Sequence, residues 1–223
     1  WKVLAQNRSH YVSSASHSQF RALPKWIDEH RAELCALLVP GRHVLFGEWC
    51  FARHTLVYDN LPGYFVAFDI WDAKEKKFYS ARRRDRVIKR AAPSIPVIRT
   101  LFEGELRGKG HLLELIESKS AYHDGFVEGI YVRVDEGTSN SIQSWNLRRG
   151  KVVRPDFVQT INNGPHWTSR TLQRNRLGGH PHEVRDRNIS SDENASNEDR
   201  CPTAVASKFG GNGASFWFPR AKR

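Results

Sequence analysis

Tyr64-Phe65-Val66-Ala67-Phe68-Asp69-Ile70-Trp71 is a run of aromatic and β-branched residues broken by a single carboxylate, the composition of a strand buried on at least one face. Alternation puts Phe65, Ala67, Asp69 and Trp71 on one face and Tyr64, Val66, Phe68 and Ile70 on the other. The second set is wholly apolar and reads as core. The first combines an aromatic with an acid, which suits a ring stacked on a base at the edge of a cleft, although core packing is the bland alternative for Phe65. A partner strand is expected from His43 to Cys50, joined through Asp59-Asn60-Leu61-Pro62-Gly63, a turn-forming sequence.

Working outward, Trp26, Ile27, Leu34, Leu37 and Leu38 recur at helical spacing, so one amphipathic helix is expected from Pro24 to Leu38, ended by Pro40-Gly41. Ser80 is suited to cap a basic helix that runs to about Ala91, with Pro93 stopping it. Further strands are expected over Ile95 to Phe102, Phe126 to Val134 and Ser144 to Val153, and a helix over His111 to Ser118. Strands and helices mix without βαβ regularity or internal repeat. The fold class predicted is therefore α+β, with mainly antiparallel sheets and flanking helices. After Leu177 the composition turns to Gly, Ser, Asn, Asp, Glu and Arg, too polar to offset the entropy of ordering. A domain over 1–177 followed by a disordered tail over 178–223 is expected.

The chain has 223 residues, 39% of them hydrophobic, enough for one substantial core. Lys+Arg 35 against Asp+Glu 24 gives a net charge of +11, which favours a polyanionic partner, a solvated basic surface being the alternative. Cys35, Cys50 and Cys201 are widely spaced, a pattern that suggests neither a disulfide framework nor a zinc site. No run of about 18 apolar residues occurs. The expectation is a cytosolic or nuclear protein with no membrane association. The sequence has no methionine and opens on Trp1, so residues upstream of Trp1 are expected.

Four stretches carry the chemistry: Phe46-Gly47-Glu48-Trp49, the strand around Phe65, Val127-Glu128-Gly129-Ile130-Tyr131-Val132-Arg133, and Arg149-Gly150-Lys151-Val152-Val153-Arg154. Glu48 and Glu128 each sit in apolar company, where a carboxylate needs a partner or a ligand. Arg149 and Lys151, two apart in a strand, project to one face and can grip one phosphate, while Lys151 with Arg154 is a second possible pair. A charge run on a solvated edge, or a salt bridge at either glutamate, is the structural alternative. The cluster Arg82-Arg83-Arg84 with Arg86, Lys89 and Arg90 could follow a phosphate backbone or could simply be a solvated helix face.

In this order, together with Arg8-Ser9-His10 and His166-Trp167, these stretches resemble the RNA ligase family of covalent nucleotidyltransferases, from about Asn7 to about Trp167. The resemblance implies ATP as AMP donor, Mg²⁺, and RNA or another nucleic acid with 5′-phosphate and 3′-hydroxyl ends. A lysine would take AMP from ATP, pass it to the 5′-phosphate, and the 3′-hydroxyl would displace it. It also implies roles for residues. Glu48 lies near the ribose, Phe65 stacks on the base, Glu128 serves metal and phosphate, Arg149 and Lys151 contact the α-phosphate, and Arg8 touches the reacting phosphate or the nucleic-acid end. His166-Trp167 is assigned to packing. Members begin their site with Lys-x-Asp-Gly, and no such tetrapeptide occurs here. The chain is accordingly expected to be inactive as it stands, with the lysine upstream. The alternatives are a non-catalytic relative that binds nucleotide or nucleic acid, or the DNA ligase or capping guanylyltransferase branch. Those branches usually carry a following OB-fold, for which the polar tail is unsuited.

Overall fold

The β-hairpin predicted around Phe65 is the centre of the structure. In a computed structural model, which describes residues 2–7, 10–54, 56–135, 148–157, 171–179, 202–205 and 214–217, the elements run β1 (Leu4–Gln6), α1 (Leu23–Glu29), α2 (Arg31–Leu37), β2 (His43–Trp49), β3 (Phe65–Asp72), β4 (Lys77–Phe78), α3 (Ala81–Ala91), β5 (Thr100–Glu103), α4 (Lys109–Ile116), β6 (Gly129–Val134), β7 (Arg149–Val153), β8 (Pro202–Val205) and β9 (Ala214–Trp217). One sheet has the order β1-β9-β2-β3-β4 and the other β5-β8-β6-β7. All these strand pairs are antiparallel. The chain is α+β with antiparallel sheets and flanking helices. Beyond Gly179 the described residues are those of β8 and β9, which pair into the two sheets.

β2 and β3 pair with one irregularity that decides the rest. Phe46 faces Asp69 and Gly47 faces Ala67, so Phe68 is an extra residue in β3, a bulge. The bulge breaks the strict alternation expected from the sequence. Phe65, Ala67 and Ile70 all enter the main core, whereas Val66 and Phe68 join a second cluster on the opposite face with Cys50, Tyr58, Leu61, Ile98 and Tyr131. Asp69, beside Ile70 and opposite Phe46, comes to that second face. A Cβ on Gly47 would lie 2.2 Å from the Phe65 ring, so only glycine lets the ring cross β2.

The helix expected over 24–38 is two helices, α1 and α2, that break at His30 (φ −102°, ψ 7°). The His30 ring stacks on Trp26 and its Nδ1 lies 2.8 Å from the Trp26 carbonyl, a side-chain competitor for the helical backbone. Both helices keep the expected amphipathicity, burying Leu23, Trp26, Leu34 and Leu37 against the main core. α3 starts as predicted, with Ser80 Oγ accepting the Arg83 N–H at 3.2 Å. The strand expected over Ile95 to Phe102 is confined to β5. Upstream of it only Val97 bridges Ala67, because Pro96 has no N–H to extend a ladder. β6 begins at Gly129, one residue after Glu128, and residues 144–147 of the last expected strand lie outside the described residues.

Candidate active site

β2 continues its alternation through Glu48, which lies opposite Val66 on the face away from the main core. Glu128 immediately precedes β6. Both carboxylates are buried, and they line one cavity with Cys50, His54, Tyr58 and Asn175. The Tyr58 hydroxyl donates to Glu128 Oε1. Burial, and then the charge of Glu128, raise the Tyr58 hydroxyl well above its ordinary range, so it stays a donor. The Cys50 thiol is likewise pushed well up, by burial first and by Glu48 and Glu128 next. Both effects disfavour the thiolate, the nucleophilic form.

Tyr58 sits in the connection between β2 and β3, whose shape is set by a distant segment, residues 171–179. Asn175, 2% exposed, receives the Tyr58 N–H on its Oδ1 at 2.9 Å and donates its Nδ2 to the carbonyls of Cys50 and Ala52 at 2.9 and 3.2 Å. Backbone bonds from Arg53 to Gln173, Asn175 to Phe51, Arg176 to Tyr58 and Leu61 to Arg176 complete the strap. These bonds satisfy backbone groups that a buried irregular loop would otherwise leave unpaired.

A second polar cluster joins the two sheets. Asp69 on β3, 2% exposed, accepts Arg133 Nη1 on one carboxylate oxygen at 2.9 Å and Arg149 Nη1 on the other at 2.7 Å. Arg149 also donates to the Tyr131 hydroxyl at 2.7 Å, and Arg133 to Asp135 and to the Tyr79 carbonyl. Burial alone would lower the Arg133 pKa, but Asp69 and Asp135 outweigh it and raise it. Lys151 pairs with Tyr131 across β6 and β7, on the strand face that carries Arg133 and Arg149, and is exposed.

The structure therefore brings Glu48 and Glu128 into one cavity and sets Arg149 and Lys151 side by side on one face, as their two-residue spacing predicts. Two expectations change. Phe65 is fully buried, packed 5.1 Å from Trp26 on the face opposite the Glu48–Glu128 cavity, so it cannot stack on a base there; the bulge is the cause. Arg149 is 4% exposed at its side chain and is bound to Asp69, so its first role is to tie the sheets together. Arg154 pairs with Asp156 through two hydrogen bonds, at 3.0 and 2.6 Å. Arg84 of the basic helix is buried and donates to the Phe68 carbonyl at 2.6 Å. Arg8 and His166-Trp167 lie outside the described residues.

Sequence reasoning missed Tyr58, Asn175, Arg133 and the bridging role of Asp69. The available signal was Asp69 itself, a carboxylate inside an apolar strand that requires a cation. Phe68, expected in the core, packs half-buried against the second cluster, on the same face as Val66 and Asp69. Among the described residues no group of three or more His, Cys, Asp and Glu forms a metal cluster. A Mg²⁺ ion held jointly by protein and nucleotide phosphate needs only one or two carboxylates, and the Glu48–Glu128 cavity supplies two.

The family model described as RNA ligase matches residues 1–153. The chain belongs to the RNA ligase family. No curated protein and no solved structure matches it. The RNA ligase match takes in Glu48, Asp69, Glu128, Arg149 and Lys151 and ends with β7, so the 171–179 strap over this ligase-family cavity lies beyond it. No helix among the described residues is long and apolar enough to cross a membrane.

Proposed function

We propose that this domain is the nucleotide-holding part of an ATP-dependent RNA ligase-type nucleotidyltransferase, one that joins 5′-phosphate and 3′-hydroxyl ends through a lysyl-AMP intermediate. The observation that supports it best is the convergence of Glu48 and Glu128 on one cavity, beside a sheet face that carries Arg149 and Lys151. Nucleotidyl transfer depends chiefly on positioning and on neutralising charge on phosphate oxygens. Glu48 orients the ribose, and Lys151, the exposed cation of the pair, meets the α-phosphate. Arg149 holds β7 against β3 so that Lys151 is presented. Phe68 replaces Phe65 as the aromatic available to the base. Glu128 with Glu48 would hold Mg²⁺, which supplies charge neutralisation at phosphate. The burial of both carboxylates makes their field strong inside the cavity.

ATP and AMP should raise the melting temperature of the protein, and Lys151→Ala should abolish that rise while leaving the unliganded melt unchanged. Equal protection in the variant would refute the assignment. The absence of Lys-x-Asp-Gly from these residues favours binding without transfer by this chain alone. Intact mass after incubation with ATP and Mg²⁺ should show no AMP adduct, and an adduct would overturn that part.

A further inference from the structure

One segment holds Tyr58 by both of its backbone groups. The Tyr58 N–H goes to Asn175 Oδ1 at 2.9 Å, and the Tyr58 carbonyl accepts the Arg176 N–H at 2.8 Å. The same strap also grips the start of the β2–β3 connection, where the Asn175 N–H meets the Phe51 carbonyl at 3.0 Å and Ala52 bridges Arg174. Asn175 itself lines the Glu48–Glu128 cavity. Its Nδ2 is already committed to the carbonyls of Cys50 and Ala52 and its Oδ1 to Tyr58, so both N–H groups that an asparagine could offer a ligand are in use. Whatever Asn175 does for the cavity, it does through the chain it holds.

The Tyr58 side chain is confined as well. Its ring is buried and meets Tyr122 and His123 edge-on, with centroids 6.4 and 5.6 Å apart. With backbone and ring both fixed, the hydroxyl is aimed at Glu128 Oε1, to which it donates. On the other side of that bond the Glu128 carbonyl accepts the Arg154 N–H at 3.0 Å, which extends the β6–β7 ladder and anchors the Glu128 backbone. The carboxylate is the part left for Tyr58 to orient.

We propose that Asn175 is a positioning residue of the pocket: it sets the Tyr58 backbone, Tyr58 sets the Glu128 carboxylate, and residues 171–179, which follow the RNA ligase match, thereby aim the acid that serves metal and phosphate. The proposal rests on the nucleotide reading of the pocket. Carboxylates that hold a metal are themselves oriented by hydrogen bonds, and loss of such an outer partner costs about 10–100-fold in metal affinity.

Calorimetry tests this with three titrations, ATP with Mg²⁺, ATP without it, and AMP without metal. The proteins are the wild type, Asn175→Ala, Tyr58→Phe and the double variant, each at a temperature where it is folded. Mg²⁺ should strengthen ATP binding by the wild type, and each single variant should lose about tenfold in ATP affinity with Mg²⁺ while metal-free AMP affinity is unchanged. The double variant should lose no more than either single, since both act on one path. Undiminished strengthening by Mg²⁺ in Asn175→Ala, beside a lowered melting temperature, would make Asn175 a purely structural clasp and overturn the proposal, as would losses that multiply in the double variant. If Asn175→Ala does not fold, hydrogen exchange of the wild type decides. ATP with Mg²⁺ should slow the amides of 171–179 more than metal-free AMP does, because coupling is reciprocal, and equal rates would overturn the link. If AMP does not bind the wild type, the nucleotide reading fails and the relay is judged without ligand. The Tyr58 ¹³Cζ resonance, identified by its loss in Tyr58→Phe, should then shift in Asn175→Ala in the direction that Glu128→Gln shifts it, and an unmoved resonance would overturn the relay.

Discussion

Asp69→Asn is nearly isosteric, yet it should be among the costliest single-atom changes in the domain. Asp69 gives one oxygen to Arg133 and the other to Arg149, and the side chains of the two arginines are 1% and 4% exposed. Asparagine has one acceptor oxygen and one donor NH₂. It can therefore satisfy one guanidinium only by aiming its own N–H groups at the other, and it removes the charge that compensates both. Breaking a buried ion pair at one partner costs about 3–5 kcal/mol. For a protein of this size that is a fall of roughly 6–20 °C in melting temperature. The mechanism predicts non-additivity as well. With Arg149→Gln in place, the asparagine oxygen is released to serve Arg133, so the double variant should cost less than the sum of the singles by more than about 1 kcal/mol. Urea unfolding of the four proteins measures this directly. A loss below about 1 kcal/mol for Asp69→Asn, or singles that simply add, would show that Asp69 does not bridge the sheets.

Phe65→Ala should lower stability by about 3–5 kcal/mol as a core truncation, with nucleotide affinity unchanged at temperatures where the variant stays folded, whereas Phe68→Ala should weaken nucleotide binding by calorimetry at a smaller cost in stability, since Phe68 is only half-buried against the second cluster; the opposite pattern would restore Phe65 to the cleft. Tyr58→Phe removes one hydrogen bond to a buried carboxylate and should cost about 1.5–3 kcal/mol in urea unfolding, a loss under 0.5 kcal/mol counting against a structural role for that contact. Burial alone would raise the Asp72 pKa, but the Arg42 guanidinium at 2.6 Å and the backbone N–H of Glu75 hold it well below the ordinary 3.8. Its folded value lies under its unfolded value, so the stability it contributes is present above about pH 4 and is lost as pH falls toward the folded value. Asp72→Asn should therefore differ from wild type at pH 7 and converge with it in acid, and a gap that stays constant across an acid titration of stability would contradict the coupling.

The elements legible in the sequence were those specified locally. Ser80 and Pro93 bracket α3 because capping and proline geometry act within one turn. The acids at 48 and 128 could be singled out because a carboxylate among apolar neighbours is costly wherever the chain goes. What escaped was set by distant contacts. The bulge at Phe68 exists only in the pairing of β3 with β2, so alternation gave Phe65 the wrong face and put Phe68 wholly in the core. Arg149 looks like a phosphate ligand from its spacing to Lys151, and only its partner Asp69, on the other sheet, reveals what it holds. Nothing near Asn175 announces its three side-chain hydrogen bonds, since every acceptor and donor it meets is backbone from another part of the chain.

That last residue bears on where the functional unit ends. Tyr58 is 70 residues from Glu128 and 117 from Asn175, and it links them: Asn175 fixes the Tyr58 backbone and the Tyr58 hydroxyl fixes Glu128. The loop from Cys50 to Asn60 lies outside the strands β2 and β3 that flank it, so the strap holds it where no sheet ladder does. Glu48 needs less help, because it lies within β2, opposite Val66 of β3, and β9 flanks β2 as far as Gly47. One carboxylate of the pocket is thus positioned by a strand ladder, and the other in part by a segment beyond the reach of the family match. A ligand that draws on both must therefore couple its binding to the order of residues 171–179. The family match ends at 153, and the physical boundary of the pocket lies further along the chain.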